Sequence, residues 1–204
     1  MSAAMMAVAA RRYLLFGTLA ACGCLLDLFT KAWIFARLGI PPKPPQWWLV
    51  LNVLSLTTSL NESALFGIGQ GRGTWFIGLS VVAVAGILGW LFFAGAARDR
   101  MLTAALGIIT GGILGNLYDR LGLPGLKWRA AAHHADGDPV FAVRDWIHLR
   151  IPGVIDWPVF NIADSLLVCG ALLLLWHTLW ADPRRKNRQR ATDHTAAAVR
   201  VNHV

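Results

Sequence analysis

Four long apolar segments are the feature of this chain that most constrains its fold. They cover residues 13–35, 74–96, 101–118 and 162–180. About 20 helical residues cross the roughly 30 Å hydrocarbon core of a bilayer, and a segment surrounded by lipid must satisfy its own backbone hydrogen bonds. The sequence therefore predicts an all-α membrane protein with four transmembrane helices.

The composition agrees with a membrane protein and argues against a soluble one. Hydrophobic residues make up 56% of the 204 positions and charged residues only 15%, too few for an ordinary soluble domain. The net charge of +8 is compatible with nucleic acid binding, but the basic residues cluster beside the spans. These clusters are Arg11 with Arg12, Arg98 with Arg100, and Arg184, Arg185, Lys186, Arg188 and Arg190. We therefore interpret the charge as a determinant of topology and expect no nucleic acid partner.

The basic clusters also predict the orientation of the spans. All three fall on one side of a four-span chain, so the positive-inside rule places both termini in the cytoplasm. The segments 37–73 and 121–160 then face outward. We expect a cytoplasmic N-terminus at 1–12, a single four-helix membrane domain at 13–181, and a basic, disordered cytoplasmic tail at 182–204.

The first outward segment contains a run typical of β-structure. Residues 47–58 (WWLVLNVLSLTT) follow a proline-rich stretch that ends any helix and are rich in β-forming side chains. They predict short strands on the membrane surface, and hence a small outward-facing β-rich element. Residues 128–140 are interpreted as a polar loop, in which the adjacent His133 and His134 face solvent in preference to binding a metal.

The cysteines indicate neither a metal site nor a disulfide framework. Cys22, Cys24 and Cys169 lie inside apolar segments and are expected to be buried thiols. Residues 19–22 (LAAC) are also similar to a lipobox, the cleavage signal of bacterial lipoproteins, so a cleaved signal is an alternative. The apolar stretch continues to residue 35, whereas a signal peptide is followed by a polar mature chain, which favours an uncleaved span.

Charged residues inside the first span are a candidate functional feature. Asp27 and Lys31 stand four positions apart, so they share one face of a helix and can pair. The pair either only neutralises charge in lipid or also supports a site near the outer surface, because intramembrane charge is often functional. Asn61 precedes the second span, where by itself it would be a turn or cap residue.

The end of the third span is unusually polar. Asn116 and Arg120 share a helix face, while Asp119 can pair locally. Gly111 belongs to a glycine-rich stretch of the kind that lets membrane helices approach closely. Since polar residues recur at the outer ends of the first, third and fourth spans, we expect one site at the outer leaflet.

Two acids flank the start of the last span. Asp164 stands three positions after Asn161, on the same helix face, and Asp145 precedes both. Asp164 alone would be read as a helix cap, and Asp145 as a loop acid paired with Arg144 or Arg150. If the two acids meet, they can share one proton and activate water.

Five motifs containing these residues occur in order along the chain. They are DLFTK at 27–31, NESALFG at 61–67, GGILGNLYDR at 111–120, VRDWI at 143–147 and FNIADS at 160–165. Together they resemble the signal peptidase II (lipoprotein signal peptidase) family of bacterial membrane aspartyl proteases. Any one of the motifs is weak evidence, whereas five in order, on a four-span chain, are specific.

The resemblance implies an assignment of roles. Asp145 and Asp164 would be the catalytic pair of an aspartic endopeptidase that needs no metal or cofactor. The substrate would be a prolipoprotein whose lipobox cysteine carries a diacylglyceryl group, and the enzyme, expected to be a monomer among membrane lipids, would lie in the bacterial inner membrane. Supporting or substrate-binding residues would be Asp27, Lys31, Asn61, Gly111, Asn116, Asp119, Arg120, Asn161 and Ala163.

Two departures from the family pattern stand out. Leu65 occupies a position that is usually Ala, and a longer stretch than usual separates Arg120 from Asp145. This insertion, at about 122–142, is a candidate flap over the site or a partner surface. From the residues alone, two other classes stay open: a small proton-coupled transporter in which the acids relay protons, and a scaffolding protein whose polar residues only lock helix contacts.

Overall fold

The computed structural model describes residues 8–41, 45–63, 73–129 and 134–181. The predictions about Leu65, His133 and the tail at 182–204 lie outside these residues. Within them the chain forms long helices and one small sheet.

Four helices in the described ranges are long and apolar enough to cross a membrane. They are α1 (Ala10–Leu38), α2 (Gly73–Leu88), α3 (Arg100–Arg120) and α4 (Ile162–Trp176). π-helical turns extend α2 through Gly89–Phe93 and α4 through His177–Ala181, and a 3-10 turn at Ala96–Arg98 precedes α3. The prediction of four spans is confirmed, with bounds within a few residues of those expected.

Glycines in α3 let it pack closely against two other helices. A Cβ atom at Gly111 would stand 2.9 Å from the carbonyl oxygen of Ala20 in α1, and one at Gly112 would stand 2.6 Å from that of Ala163 in α4. Both separations are too short for a side chain, so this approach requires glycine. By contrast, little of α2 is buried inside the protein, as expected for a helix surrounded by lipid.

The cysteines lie on the outside of the helices. Cys22 and Cys169 are exposed and Cys24 is half-buried. The bundle buries only the stripe of each helix that faces a neighbour, and these thiols lie off that stripe. The prediction of buried thiols is therefore wrong.

A four-stranded antiparallel sheet connects the two segments that lie between spans. Its strands, in spatial order, are β1 (Trp47–Val50), β2 (Leu54–Asn61), β3 (Val143–Ile151) and β4 (Ile155–Asp156). The strands expected in 47–58 are confirmed. β3 and β4 were not predicted, although residues 147–151 alternate apolar and polar side chains as a half-buried strand does. In the register of β2 with β3, Asn61 lies opposite Val143, which places it beside Asp145.

The described residues between α3 and β3 form a folded hairpin where a polar loop was expected. Lys127 pairs with Pro139 across it, Trp128 N donates to Asp138 O at 2.8 Å, and Val140 N donates to Leu126 O at 3.0 Å. We call residues 126–129 and 134–142 the inserted hairpin. Its core consists of the buried side chains Trp128, Val140 and Ala142, against which Leu60 of β2 and Leu126 pack. The hairpin is therefore attached to the strand that ends at Asn61.

Candidate active site

A cluster of buried charges joins α1, α3 and α4. Lys31 Nζ lies 2.7 Å from Asp27 Oδ2 and 3.1 Å from Asp119 Oδ2, and it donates to Asn116 Oδ1 at 2.9 Å. The other Asp27 oxygen accepts from the backbone N–H of Ala163 at 2.9 Å. The three charged side chains are completely buried, where an unpaired charge would be strongly unfavourable. The predicted Asp27–Lys31 pair is confirmed, and it also holds the start of α4.

Asp119 pairs with distant cations and not with its neighbour Arg120. Arg144 donates to Asp119 Oδ1 through Nε at 2.9 Å and Nη2 at 2.8 Å, and its backbone N–H donates to Oδ2 at 3.0 Å. Arg120 instead donates to Ser63 O at 2.9 Å, and its guanidinium lies 4.6 Å from the centre of the Phe76 ring. The expectation of a local pair for Asp119 is therefore wrong.

Asp164 closes the first turn of α4 and also faces a second partner. Its backbone N–H donates to Asn161 Oδ1 at 2.9 Å, and its Oδ2 accepts from the Asn161 backbone N–H at 3.2 Å, which together form a capping box. Its Oδ1 accepts from Asn116 Nδ2 at 2.9 Å. The capping interpretation of Asp164 is correct but incomplete, because the same carboxylate is bonded to α3.

Asp145 lies in β3 with 2% of its surface exposed. Its Oδ1 accepts from Asn161 Nδ2 at 2.6 Å and its Oδ2 from Asn61 Nδ2 at 3.0 Å. Burial, and then the negative charge of Asp164, raise the pKa of Asp145 to about 7, although the two amide hydrogen bonds act in the opposite direction. Asp145 is thus a carboxyl that can hold a proton near neutral pH.

The alternative reading of Asp145 as an ordinary ion-paired loop acid is wrong. Arg144 is directed to Asp119, and Arg150 lies 3.7 Å from Asp156 at the far end of the sheet. Adjacent residues of a strand point to opposite faces, so Arg144 and Asp145 face different surroundings although they are neighbours in sequence.

Asn161 links the two acids directly. Its side-chain amide donates to Asp145 Oδ1, and its backbone N–H donates to Asp164 Oδ2. The same side chain lies 3.1 Å from Asn116 Oδ1, and Asn116 donates in turn to Asp164. Because Asn161 is fully buried, the two carboxylates are held in one network of amides from β2, α3 and the start of α4. A pair of this kind can share a proton and polarise water between its members.

The structure brings together nearly all the residues singled out from the sequence. The members of this connected set are Asp27, Lys31, Asn61, Asn116, Asp119, Arg120, Asp145, Asn161, Ala163 and Asp164. Gly111 lies outside it, at the contact with α1. Two further residues in contact with this set, Arg144 and Ser63, were not singled out from the sequence. Arg144 had a signal, since it is a cation beside a candidate catalytic acid, whereas Ser63 takes part through its backbone oxygen, which residue identity cannot reveal.

Comparisons with known proteins support an enzyme of the membrane. The family model for signal peptidase II matches residues 19–180. The lipoprotein signal peptidase of Rhodopirellula baltica is 47% identical over 171 residues, covering 81% of this chain and 72% of the relative. That of Rhodococcus jostii is 37% identical over 170 residues, covering 83% and 74%. A solved structure of a bacterial membrane enzyme is 25% identical with a TM-score of 0.63, covering 86% of this chain and 97% of that one.

Four candidate spans, a small sheet and a buried carboxylate site define a multi-pass membrane enzyme of the protease class. The match over most of the chain specifies it further. The chain belongs to the signal peptidase II family. Its function is that of a signal peptidase, and nothing in these comparisons supports the alternative of a proton-coupled transporter.

Proposed function

We propose that this protein is an aspartic endopeptidase that removes the signal peptide from prolipoproteins, with Asp145 and Asp164 as its catalytic pair. The observation that carries the proposal is the bridging of the two carboxylates by Asn161. They come from a strand and a helix, yet they share one polar network in an otherwise apolar bundle. A scaffold that only locked helices together would not need a second acid beside Asp145, where each carboxylate disfavours ionisation of the other.

We assign the resting proton of the pair to Asp145. Burial raises the pKa of Asp145 to about 7, and Asp164 accepts hydrogen bonds from the side-chain amide of Asn116 and the backbone N–H of Asn161. Asp164 then takes a proton from the attacking water as general base. Asp145 donates a hydrogen bond to the scissile carbonyl oxygen, and as the tetrahedral intermediate collapses Asp164 gives the proton that it took from water to the leaving amine, so that both acids regain their starting states.

The remaining polar residues position this pair. Asn61, Asn116 and Asn161 orient the carboxylate oxygens, and the Asp27–Lys31 pair holds α4 through Ala163. Charges that are paired and buried keep fixed positions, which is what preorganised catalysis requires. No step of this mechanism uses a metal or an organic cofactor.

The family supports a more specific substrate and location. Related proteins are named lipoprotein signal peptidases, and we propose cleavage before a diacylglyceryl-modified cysteine. The acyl chains would remain in the bilayer, where each buried methylene contributes about 0.8 kcal/mol to binding. The sheet and the acids would then face the outer side of the bacterial inner membrane, with both termini in the cytoplasm, and the enzyme would act as a monomer.

Cleavage by purified variants tests the proposal. Wild-type protein in detergent or reconstituted bilayers is expected to cut a prolipoprotein peptide with a diacylglyceryl cysteine, whereas Asp145→Asn and Asp164→Asn are expected to be inactive. Asp156→Asn is the matched control, because Asp156 is an exposed acid at the other end of the same sheet. Cleavage at the wild-type rate by Asp145→Asn or Asp164→Asn would contradict the assignment of these residues as the catalytic pair. Cleavage by none of the proteins, wild type included, would contradict the substrate.

A further inference from the structure

Among the described residues, a side-chain pair joins the inserted hairpin to the turn that follows Asn61. His134 Nε2 lies 2.8 Å from Glu62 Oε1, and the His134 ring stacks on Trp128 with centroids 4.3 Å apart and planes inclined by 3°. Trp128 is itself buried in the core of the hairpin. His134 was expected to face solvent, and it does so only in part, with 29% of its side chain exposed, because stacking on the buried indole places the imidazole against Glu62.

Glu62 stands between two residues that contact the acid network. On one side, Asn61 donates its side-chain amide to Asp145 Oδ2 at 3.0 Å. On the other, Ser63 donates from its backbone N–H and its hydroxyl to Asn61 Oδ1 at 3.0 and 2.9 Å. These bonds set the direction of the Asn61 amide, because its oxygen is occupied by Ser63 and its nitrogen is turned to the acid. Displacement of the backbone at Glu62 would disturb both bonds.

We propose that His134 and Glu62 form a clamp by which the inserted hairpin positions Asn61 against Asp145. The path runs from the hairpin core to His134, from His134 to Glu62, and from Glu62 through the backbone to Asn61. Neither clamp residue touches the acids, so both are positioning residues. The inference rests on the proposed function of Asp145, and it assigns to the insertion a role in catalysis in place of a purely structural one.

If the clamp positions Asn61, its removal should lower the turnover number and leave substrate binding unchanged. His134→Phe keeps a ring to stack on Trp128 but removes the nitrogen, and Glu62→Met keeps the length of the side chain but removes the carboxylate. Each is expected to lower kcat about three- to tenfold at unchanged KM, since a half-exposed pair is weak but a small displacement at a reacting group is costly. The double variant should lose no more than either single variant.

A matched control separates the clamp from a general effect of losing a histidine–carboxylate pair. His148 Nε2 lies 2.7 Å from Asp156 Oδ1 in the same sheet, away from Asn61. His148→Phe is expected to leave kcat unchanged. In an Asn61→Ala background, His134→Phe should cause no further loss, because the residue on which the clamp acts is gone. An undiminished loss in that background, or wild-type kcat in both clamp variants, would overturn the proposal.

Hydrogen exchange tests the clamp without relying on activity. The backbone amide of Ser63 is protected by Asn61 Oδ1, and it is expected to exchange about tenfold faster in His134→Phe than in wild type or His148→Phe. Unchanged exchange at Ser63 would refute the clamp even if the wild-type protein cleaved no lipidated peptide. Faster exchange in a protein without cleavage activity would instead support the clamp and refute the proposed function.

Discussion

The raised pKa of Asp145 makes the stability of this protein depend on pH in a direction opposite to that of most acids. An ordinary aspartate has a pKa of 3.8, whereas burial and Asp164 raise that of Asp145 to about 7. Between these values the unfolded chain is ionised while the folded protein keeps the proton. The free energy of unfolding therefore falls as the pH rises from 3.8 to 7 and stays low above it. The free energy of unfolding falls by about 1.4 kcal/mol per pH unit, so the total decrease over this range is about 4 kcal/mol.

Asp145→Asn should remove this dependence, because asparagine resembles the protonated acid and cannot ionise. Unfolding in detergent micelles would be followed at about pH 4.5 and about pH 8 for the wild type and the variant. The difference in free energy of unfolding, variant minus wild type, is expected to rise by about 3–4 kcal/mol between the two conditions. The inactive variant would then be the more stable protein at the alkaline end.

The exposed acid Asp156 provides the comparison. Asp156→Asn removes an exposed acid at the other end of the sheet and leaves Asp145 in place, so it is expected to keep the pH dependence that Asp145 causes. Parallel stability curves for the wild type and Asp145→Asn would refute the reasoning, because they would mean that Asp145 ionises as readily in the folded protein as in the unfolded chain. The assay is independent of any substrate, so it tests the environment of Asp145 alone.

Two further predictions concern the helix bundle. Lys31→Met leaves buried carboxylates without their cation and should lower the free energy of unfolding by about 3–5 kcal/mol, measured by denaturant unfolding in micelles. Arg37→Met, on the exposed side of α1, should have little effect, and similar losses in both variants would contradict the buried cluster. Gly112→Ala places a Cβ 2.6 Å from a backbone oxygen of α4 and should cost about 1–3 kcal/mol together with activity. Gly86→Ala, where a Cβ meets no atom within 4 Å, should be neutral or slightly stabilising, and equal thermal shifts in the two glycine variants would contradict close packing of α3.

The helices could be predicted from the sequence because the requirement they meet is local. A segment surrounded by lipid must be apolar and must satisfy its own backbone, so each span is visible in its own residues. Strand β3 is different. Its alternating pattern covers only its second half, and its first half places Arg144 and Asp145 where a polar loop is the simpler reading. Residues 143–146 form a strand because they pair with β2, and β2 is remote from them in sequence.

The sequence by itself determined the four spans, the strands that begin at Trp47, and the list of polar residues that converge on one site. It could not assign their partners. Asp119 bonds to Arg144 and Lys31 although Arg120 is its neighbour, because a strand and a helix bring those cations to its oxygens. Asn161 joins Asp145 to Asp164 only because β3 lies beside the start of α4. Buried charges and amides take the partners that geometry provides, and that geometry exists only once the elements have packed.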